Sequence, residues 1–276
     1  MKKMLGSIGI VLLIGGCAGN NAVIDKKIKE VNTDKILMKK YHITTNNLIK
    51  FGEYYIFYTP GPNGTDIVFL DKNFNEVKKF STPYFLDTKK ISVANNKIYV
   101  LGVNEETYFP ELLILNKDGK LIKKDVFSKK YALPTDIYIT KKDNYVLIDV
   151  FNNGKSFAQI YKNGKLIKKI KLNNSLNGNF VFKDGNDIFV IGTVKGNNED
   201  AFISNITKGW IRFFDLGMDE NIDSFKIESN KIILNLHSTD EMGADSYYKI
   251  VIDKNGKILK NKCKMKFAPL PMKFRT

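Results

Sequence analysis

Short apolar runs separated by Asn-, Asp- and Gly-rich turns fill the chain from about residue 48 to residue 265, and they recur in groups of four. In the second group they are Ile91–Ala94, Lys97–Val103, Glu111–Asn116 and Lys120–Phe127. The third has Ile137–Thr140, Tyr145–Phe151, Phe157–Lys162 and Lys165–Leu172. Runs this short, bounded by turn residues, predict β-strands, and no segment carries a sustained helical period with caps at both ends. One hairpin turn marks the repeat: Asp71-Lys72-Asn73-Phe74-Asn75, Asn116-Lys117-Asp118-Gly119-Lys120, Tyr161-Lys162-Asn163-Gly164-Lys165, Ile206-Thr207-Lys208-Gly209-Trp210 and Asp253-Lys254-Asn255-Gly256-Lys257. Phe74, Gly119, Gly164, Gly209 and Gly256 are therefore equivalent, at intervals of 45, 45, 45 and 47 residues. A period of that size with four strands per copy predicts an all-β, five-bladed β-propeller of antiparallel blades.

The blades are expected at about 46–83, 87–130, 135–174, 178–217 and 222–266, within a propeller domain spanning 34–276. Connections from first to second and from third to fourth strands are tight, as at Asn95-Asn96 and the Asn-Gly turns, and such residues supply the positive φ that short hairpins need. Those from second to third strands are longer and more varied in sequence: Pro60–Thr65, Asn104–Pro110, Asn152–Ser156, Lys195–Asp200 and Ser238–Ser246. The long-loop face is thus the expected working surface. Closure of the ring is open between two paths. Asp34–Tyr41 has the lysine-rich pattern of an outer strand, so Ile36–Ile43 adds a fifth strand to one blade, or the tail from Phe267 takes another path; Pro269 and Pro271 keep that tail out of a central strand.

The N-terminus has a different grammar. Lys2 and Lys3 precede an apolar stretch, Leu5–Ile14, that is too short to cross a hydrocarbon core needing about 20 helical residues. It ends in small residues, which is a signal-peptide pattern. Ile14-Gly15-Gly16-Cys17 resembles the bacterial lipobox. That resemblance implies a signal peptide at 1–16, lipidation of Cys17, a tether at 17–33 and attachment to a membrane through the lipid. The alternative is an ordinary secretory signal in which Cys17 is incidental. Ala18 and Gly19 lack the aspartate that retains such lipoproteins on an inner membrane. The expected location is therefore the cell envelope, on the outer membrane facing the periplasm or at the cell surface where the host has two membranes.

Charge sharpens the fold more than the function. There are 44 basic and 29 acidic residues, a formal net charge of +15. Much of the excess sits on outermost strands, at Lys78, Lys79, Lys123, Lys124, Lys168, Lys169, Lys171, Lys260 and Lys262, where lysine discourages edge-to-edge pairing. Attraction to anionic lipid is the functional alternative; nucleic acid is not an expected partner, because no aromatic–basic recognition motif accompanies the charge. Cys17 and Cys263 with His42 and His237 make no metal-ligand spacing, so neither a metal nor another cofactor is expected.

Nucleophile elbows, Walker loops and dinucleotide fingerprints are not found in the sequence. Asp87, Asp136, Asp223, Asn47 and Asn179 fall where innermost strands begin, around the expected axis, and are the candidate ligand-binding residues. Such an arrangement resembles the paired carboxylates of five-bladed glycosidases, which implies acid–base chemistry at the axis. No Glu takes the place of the usual general acid, and the competing expectation is that these residues cap their own turns. No catalytic residue is assigned. The Asn-Gly-Lys hairpins also resemble those of quinoprotein-like and outer-membrane-assembly propeller lipoproteins, without the tryptophan that follows Gly-Lys there. Trp210 follows Gly209 in one blade only and reads as a packing residue. The expectation is a non-catalytic binding or scaffold module, with an envelope protein or a glycan on the long-loop face. The alternative is a glycosidase- or lactonase-like propeller hydrolase.

Overall fold

The computed structural model describes residues 33–265 apart from 63, 83–85, 128–131, 153–154, 173–174, 196–199, 215, 217–219 and 241–242. The expected signal peptide at 1–16, Cys17 and the tail from Phe267 lie outside the described residues. The chain divides into two compact units, Met1–Leu48 and Ile49–Thr276.

The second unit is the five-bladed β-propeller. Its blades are β1–β4 (Ile49–Phe51, Tyr54–Gly61, Gly64–Leu70, Glu76–Ser81), β5–β8 (Leu86–Ala94, Lys97–Asn104, Pro110–Asn116, Leu121–Val126) and β9–β12 (Ala132–Ile139, Asn144–Asn152, Lys155–Lys162, Lys165–Leu172). The last two are β13–β16 (Ser175–Asp184, Asp187–Lys195, Asp200–Asn205, Trp210–Phe214) and β17–β20 (Glu220–Glu228, Lys231–Thr239, Asp245–Asp253, Ile258–Met265). Each sheet pairs four consecutive strands in chain order, all antiparallel, so no described blade borrows a strand from the far end of the chain.

Side-chain alternation explains how the blades pack. In β6, Ile98 and Val100 join Ile56, Ile67 and Phe69 of the first blade, while Tyr99 and Leu101 turn the other way toward Ile137, Val146 and Ile148 of the third. In β10, Tyr145 and Leu147 face Val181, Val190 and Phe202 of the fourth. Phe189, Ile191 and Ile203 of that blade meet Ile232, Leu234, Leu236 and Ile250 of the fifth. Middle strands are covered on both faces, so β3 and most of β10 are buried end to end, with apolar runs at Ile67–Leu70 and Tyr145–Ile148. Full burial of one such Ile or Leu contributes about 1.5–3 kcal/mol.

The fifth blade departs from this. β18 alternates strictly, with Ile232, Leu234 and Leu236 buried and Ile233, Asn235 and His237 half-buried. Among the described residues, apolar clusters cover the four seams between successive blades, and none joins the fifth blade to the first. The outer strands carry the expected lysine edge: four consecutive positions are exposed in β4 and β8, and five in β12.

Three expectations are corrected. Residues 33–41 are helical rather than an outer strand, so Ile36–Ile43 is not an added strand. Lys, Leu and Met are good helix formers, and Thr33, Leu37 and Tyr41, spaced four apart, form its less exposed side, with Leu37 fully buried. His42, at φ 57°, stops the helix by donating its N–H to the Met38 carbonyl. Asp34 then accepts the Thr45 N–H (2.7 Å), anchoring the short 3-10 turn at Thr45–Asn47.

Two of the five supposedly long loops are two-residue hairpins, because pairing continues through Pro60↔Thr65 and Gly61↔Gly64 in one blade and through Asn152↔Lys155 in another. The innermost strands also begin earlier than the apolar pattern implies. β-Bulges at equivalent places in β5, β9, β13 and β17 let polar residues continue the strand.

Candidate functional site

Those bulges place the sequence candidates inside strands rather than in the turns before them. Asp87 pairs with Val103 on β5, two residues before the bulge; Asn179 lies in the bulge of β13. The side chains of both are outside the described set. Asn47 belongs to the first unit and caps its own turn: its Oδ1 accepts the Thr44 N–H (2.9 Å) and Oγ1–H (3.1 Å).

Asp136 follows the bulged Thr135 and is buried. One carboxylate oxygen pairs with Lys90 Nζ of β5, and the other accepts the Val181 N–H of β13 at 2.9 Å. A single side chain on β9 thus ties three consecutive innermost strands. Burial pushes its carboxyl above the ordinary carboxylate range, against the opposing pull of Lys90 and of two backbone N–H groups.

Asp223 is itself the bulged residue of β17, and the bulge brings its Oδ1 to 2.6 Å from His237 Nδ1 on β18. The pair is partly exposed, at 38% for Asp223 and 28% for His237. Beside it, Asp223, Asn235, Leu236, Tyr247, Tyr248, Lys249 and Lys262 line a cleft of about 390 Å³ on the half-buried face of the fifth blade. Tyr247 packs against the His237 ring (6.0 Å) and donates to Asp245 Oδ2 (3.4 Å), whose charge pushes the phenol above its ordinary value. Asn235 is fixed by donation to Ser224 Oγ at 2.9 Å.

Of the sequence candidates, then, Asp136 and Asp223 have defined surroundings in the propeller, and each is held by its own partners. Sequence reasoning missed His237, Tyr247, Lys249 and Lys262. The signal was present: Asn235 and His237 alternate with buried leucines in β18, and Tyr247 and Lys249 lie opposite them in β19. Among the described residues, no three of His, Cys, Asp or Glu converge as a metal would require.

No family model matches the chain, and no curated protein matches it in sequence. Solved structures do resemble it. Dihydro-heme d1 dehydrogenase NirN, in complex with DHE, superposes with a TM-score of 0.51 at 11% identity, over 77% of this chain and 45% of that one. An ACO/RPE65 chimera does so with a TM-score of 0.50 at 6% identity, over 76% and 57%. This chain therefore spans about half the length of those structures, and at such identity the likeness concerns the fold alone.

Proposed function

We propose that the protein is an exported lipoprotein, anchored through Cys17, whose propeller is a non-catalytic binding module of the cell envelope, engaging its partner through the half-buried face of the fifth blade. The observation that carries this reading is the placement of Asp136. This buried carboxylate of an innermost strand, with the raised proton affinity an acid catalyst needs, is engaged by Lys90 and Val181 across three strands. Accessible polar groups lie instead around Asp223, Tyr247, Lys249 and Lys262, on the side of the fifth blade where the described residues form no apolar cluster.

The test is a photo-crosslinking amino acid at Lys249 in intact cells. A discrete adduct that is lost when the probe is moved to Lys123, on the edge of the second blade, supports the reading. Equal labelling from both positions, or none, ends it. A second reading, a hydrolase, is favoured by the Asp223–His237 pair, an imidazole oriented by a carboxylate. Turnover of ester, lactone or glycoside substrates, abolished by His237→Gln in a folded protein, would replace binding by catalysis.

A further inference from the structure

A second cleft, of about 380 Å³, opens between the first and second blades at the end of the propeller formed by the tight turns. This is the face that the sequence marks as merely economical. Its floor is aromatic. Phe69, buried, meets Phe51, Tyr54 and Phe80 edge-on, at 6.2, 6.0 and 5.1 Å between ring centres. Tyr54 is 43% exposed, so much of its surface is open to a ligand. Around that floor stand Glu53, Asn96, Lys78, Lys117 and Asp118. Lys78 and Asp118 face each other at 3.6 Å and both remain largely exposed, so their hydrogen-bonding capacity is not sealed away.

The cleft is open for a reason visible in the repeat. At the equivalent turn of the second blade, Asn95 crosses the next seam and donates to the Thr140 carbonyl at 2.8 Å. The first blade has Gly52 there, at φ +63°, with no heavy atom within 4 Å of where a Cβ would stand. The bridging side chain is missing and the seam stays unfilled.

The lining narrows the ligand class. Two carboxylates oppose two ammonium groups, so the cleft favours no net charge. Aromatic surface ringed by planar carboxylate and amide groups matches a molecule with apolar C–H faces and an equator of hydroxyls, and the volume is within the range of about 300–1,000 Å³ typical of small-ligand sites. We infer that this cleft binds a neutral saccharide ring, stacked on Tyr54 and Phe51 and hydrogen-bonded by Glu53, Asn96 and Asp118. The inference deepens the binding-module reading by adding a ligand class on a different face from the fifth-blade partner site.

Isothermal titration of the purified full-length protein against cellobiose, maltose, xylobiose and N,N′-diacetylchitobiose tests it, with glucuronic acid as the charged comparison. The expected result is saturable binding of at least one neutral sugar, weakened about tenfold or more by Tyr54→Ala. Gly52→Asn should weaken it similarly, since Asn tolerates the left-handed backbone and would place a bridging side chain across the cleft. Lys260→Ala, on the outer strand of the fifth blade, should leave it unchanged, which places the binding on the first blade and not on the fifth. No binding to any neutral probe, preferential binding of glucuronic acid, or full affinity in both cleft variants would overturn the inference.

Discussion

The ring of Phe80, on the outer strand of the first blade, occupies the space that a Cβ on Gly119, in the outer turn of the second, would need. Gly119 also has φ +79°, so two separate constraints select glycine there. Gly209, at the equivalent place in the fourth blade, has φ +76° and no heavy atom within 4 Å of a would-be Cβ. Alanine at Gly209 should therefore cost only the backbone term, about 1–2 kcal/mol, partly offset by the reduced entropy of the unfolded chain. Alanine at Gly119 must also displace Phe80, adding about 1–3 kcal/mol of overpacking. Urea denaturation of the two variants should show the larger loss for Gly119→Ala; equal losses would mean that Phe80 moves freely.

Asp136 gives a second, graded test. Asp136→Ala leaves the Val181 N–H unsatisfied in a buried place, which costs about 1–3 kcal/mol, whereas Asp136→Asn retains an acceptor. The asparagine variant should lose clearly less stability than the alanine variant. If the two are equally stable, and as stable as the parent, Asp136 is not a tie between strands.

Two buried aspartates should give opposite pH signatures. Burial tends to raise Asp66, yet the Ser81 hydroxyl (2.6 Å) and the Lys79 ammonium (3.1 Å) together outweigh it and hold the carboxyl below its ordinary value. Its contribution to stability is present above the unfolded value of 3.8 and is lost as pH falls through the lower folded value. Asp136, shifted upward by burial, contributes below 3.8 and loses that contribution as pH rises through its folded value. Denaturation midpoints measured across the acid range should therefore fall less steeply toward low pH in Asp66→Asn than in the parent. In Asp136→Asn, the decline on the alkaline side of 3.8 should shrink. Parallel pH curves for parent and variants would contradict both assignments.

The repeat made the blades legible because each depends on local chemistry: apolar alternation, positive-φ turn residues and lysine at the edge. What local chemistry does not encode went unread. Residues 33–41 share the lysine–aliphatic composition of the outer strands, and only a helical spacing of Thr33, Leu37 and Tyr41 distinguishes them. The inner strands extend past their apolar ends because a bulge carries the backbone through polar residues. The positions of Asp136 and Asp223 were readable, but their partners on Lys90, Val181 and His237 come from neighbouring strands, and in the case of Asp136 from neighbouring blades. The aromatic cleft was hidden for a further reason: it depends on Gly52 standing where the next blade has the seam-bridging Asn95.

Trp210 offers a direct probe of the last seam, since it is the only tryptophan in the chain. Its Nε1–H donates to the Lys254 carbonyl (3.3 Å), its ring lies edge-on to Phe189 (6.3 Å), and its atoms would sit 3.0 Å from a Cβ on Gly256. Arg212 Nε reinforces the same turn by donating to the Gly256 carbonyl at 3.1 Å. Among the described residues, the fifth blade has an apolar cluster on this side only. The fifth blade should therefore open before the others. Amide exchange in Lys231–Thr239 should be faster than in Asn144–Asn152, which packs apolar side chains into both of its seams. Trp210→Phe removes the indole hydrogen bond, worth about 1 kcal/mol, while keeping most of the apolar contact. Exchange should accelerate in the fifth blade of that variant and stay unchanged in the second and third. In the parent, the tryptophan emission should shift at a lower urea concentration than the loss of sheet signal in circular dichroism. Coincident transitions with uniform exchange across all five blades would show that the propeller unfolds as one unit and that the last seam is no weaker than the rest.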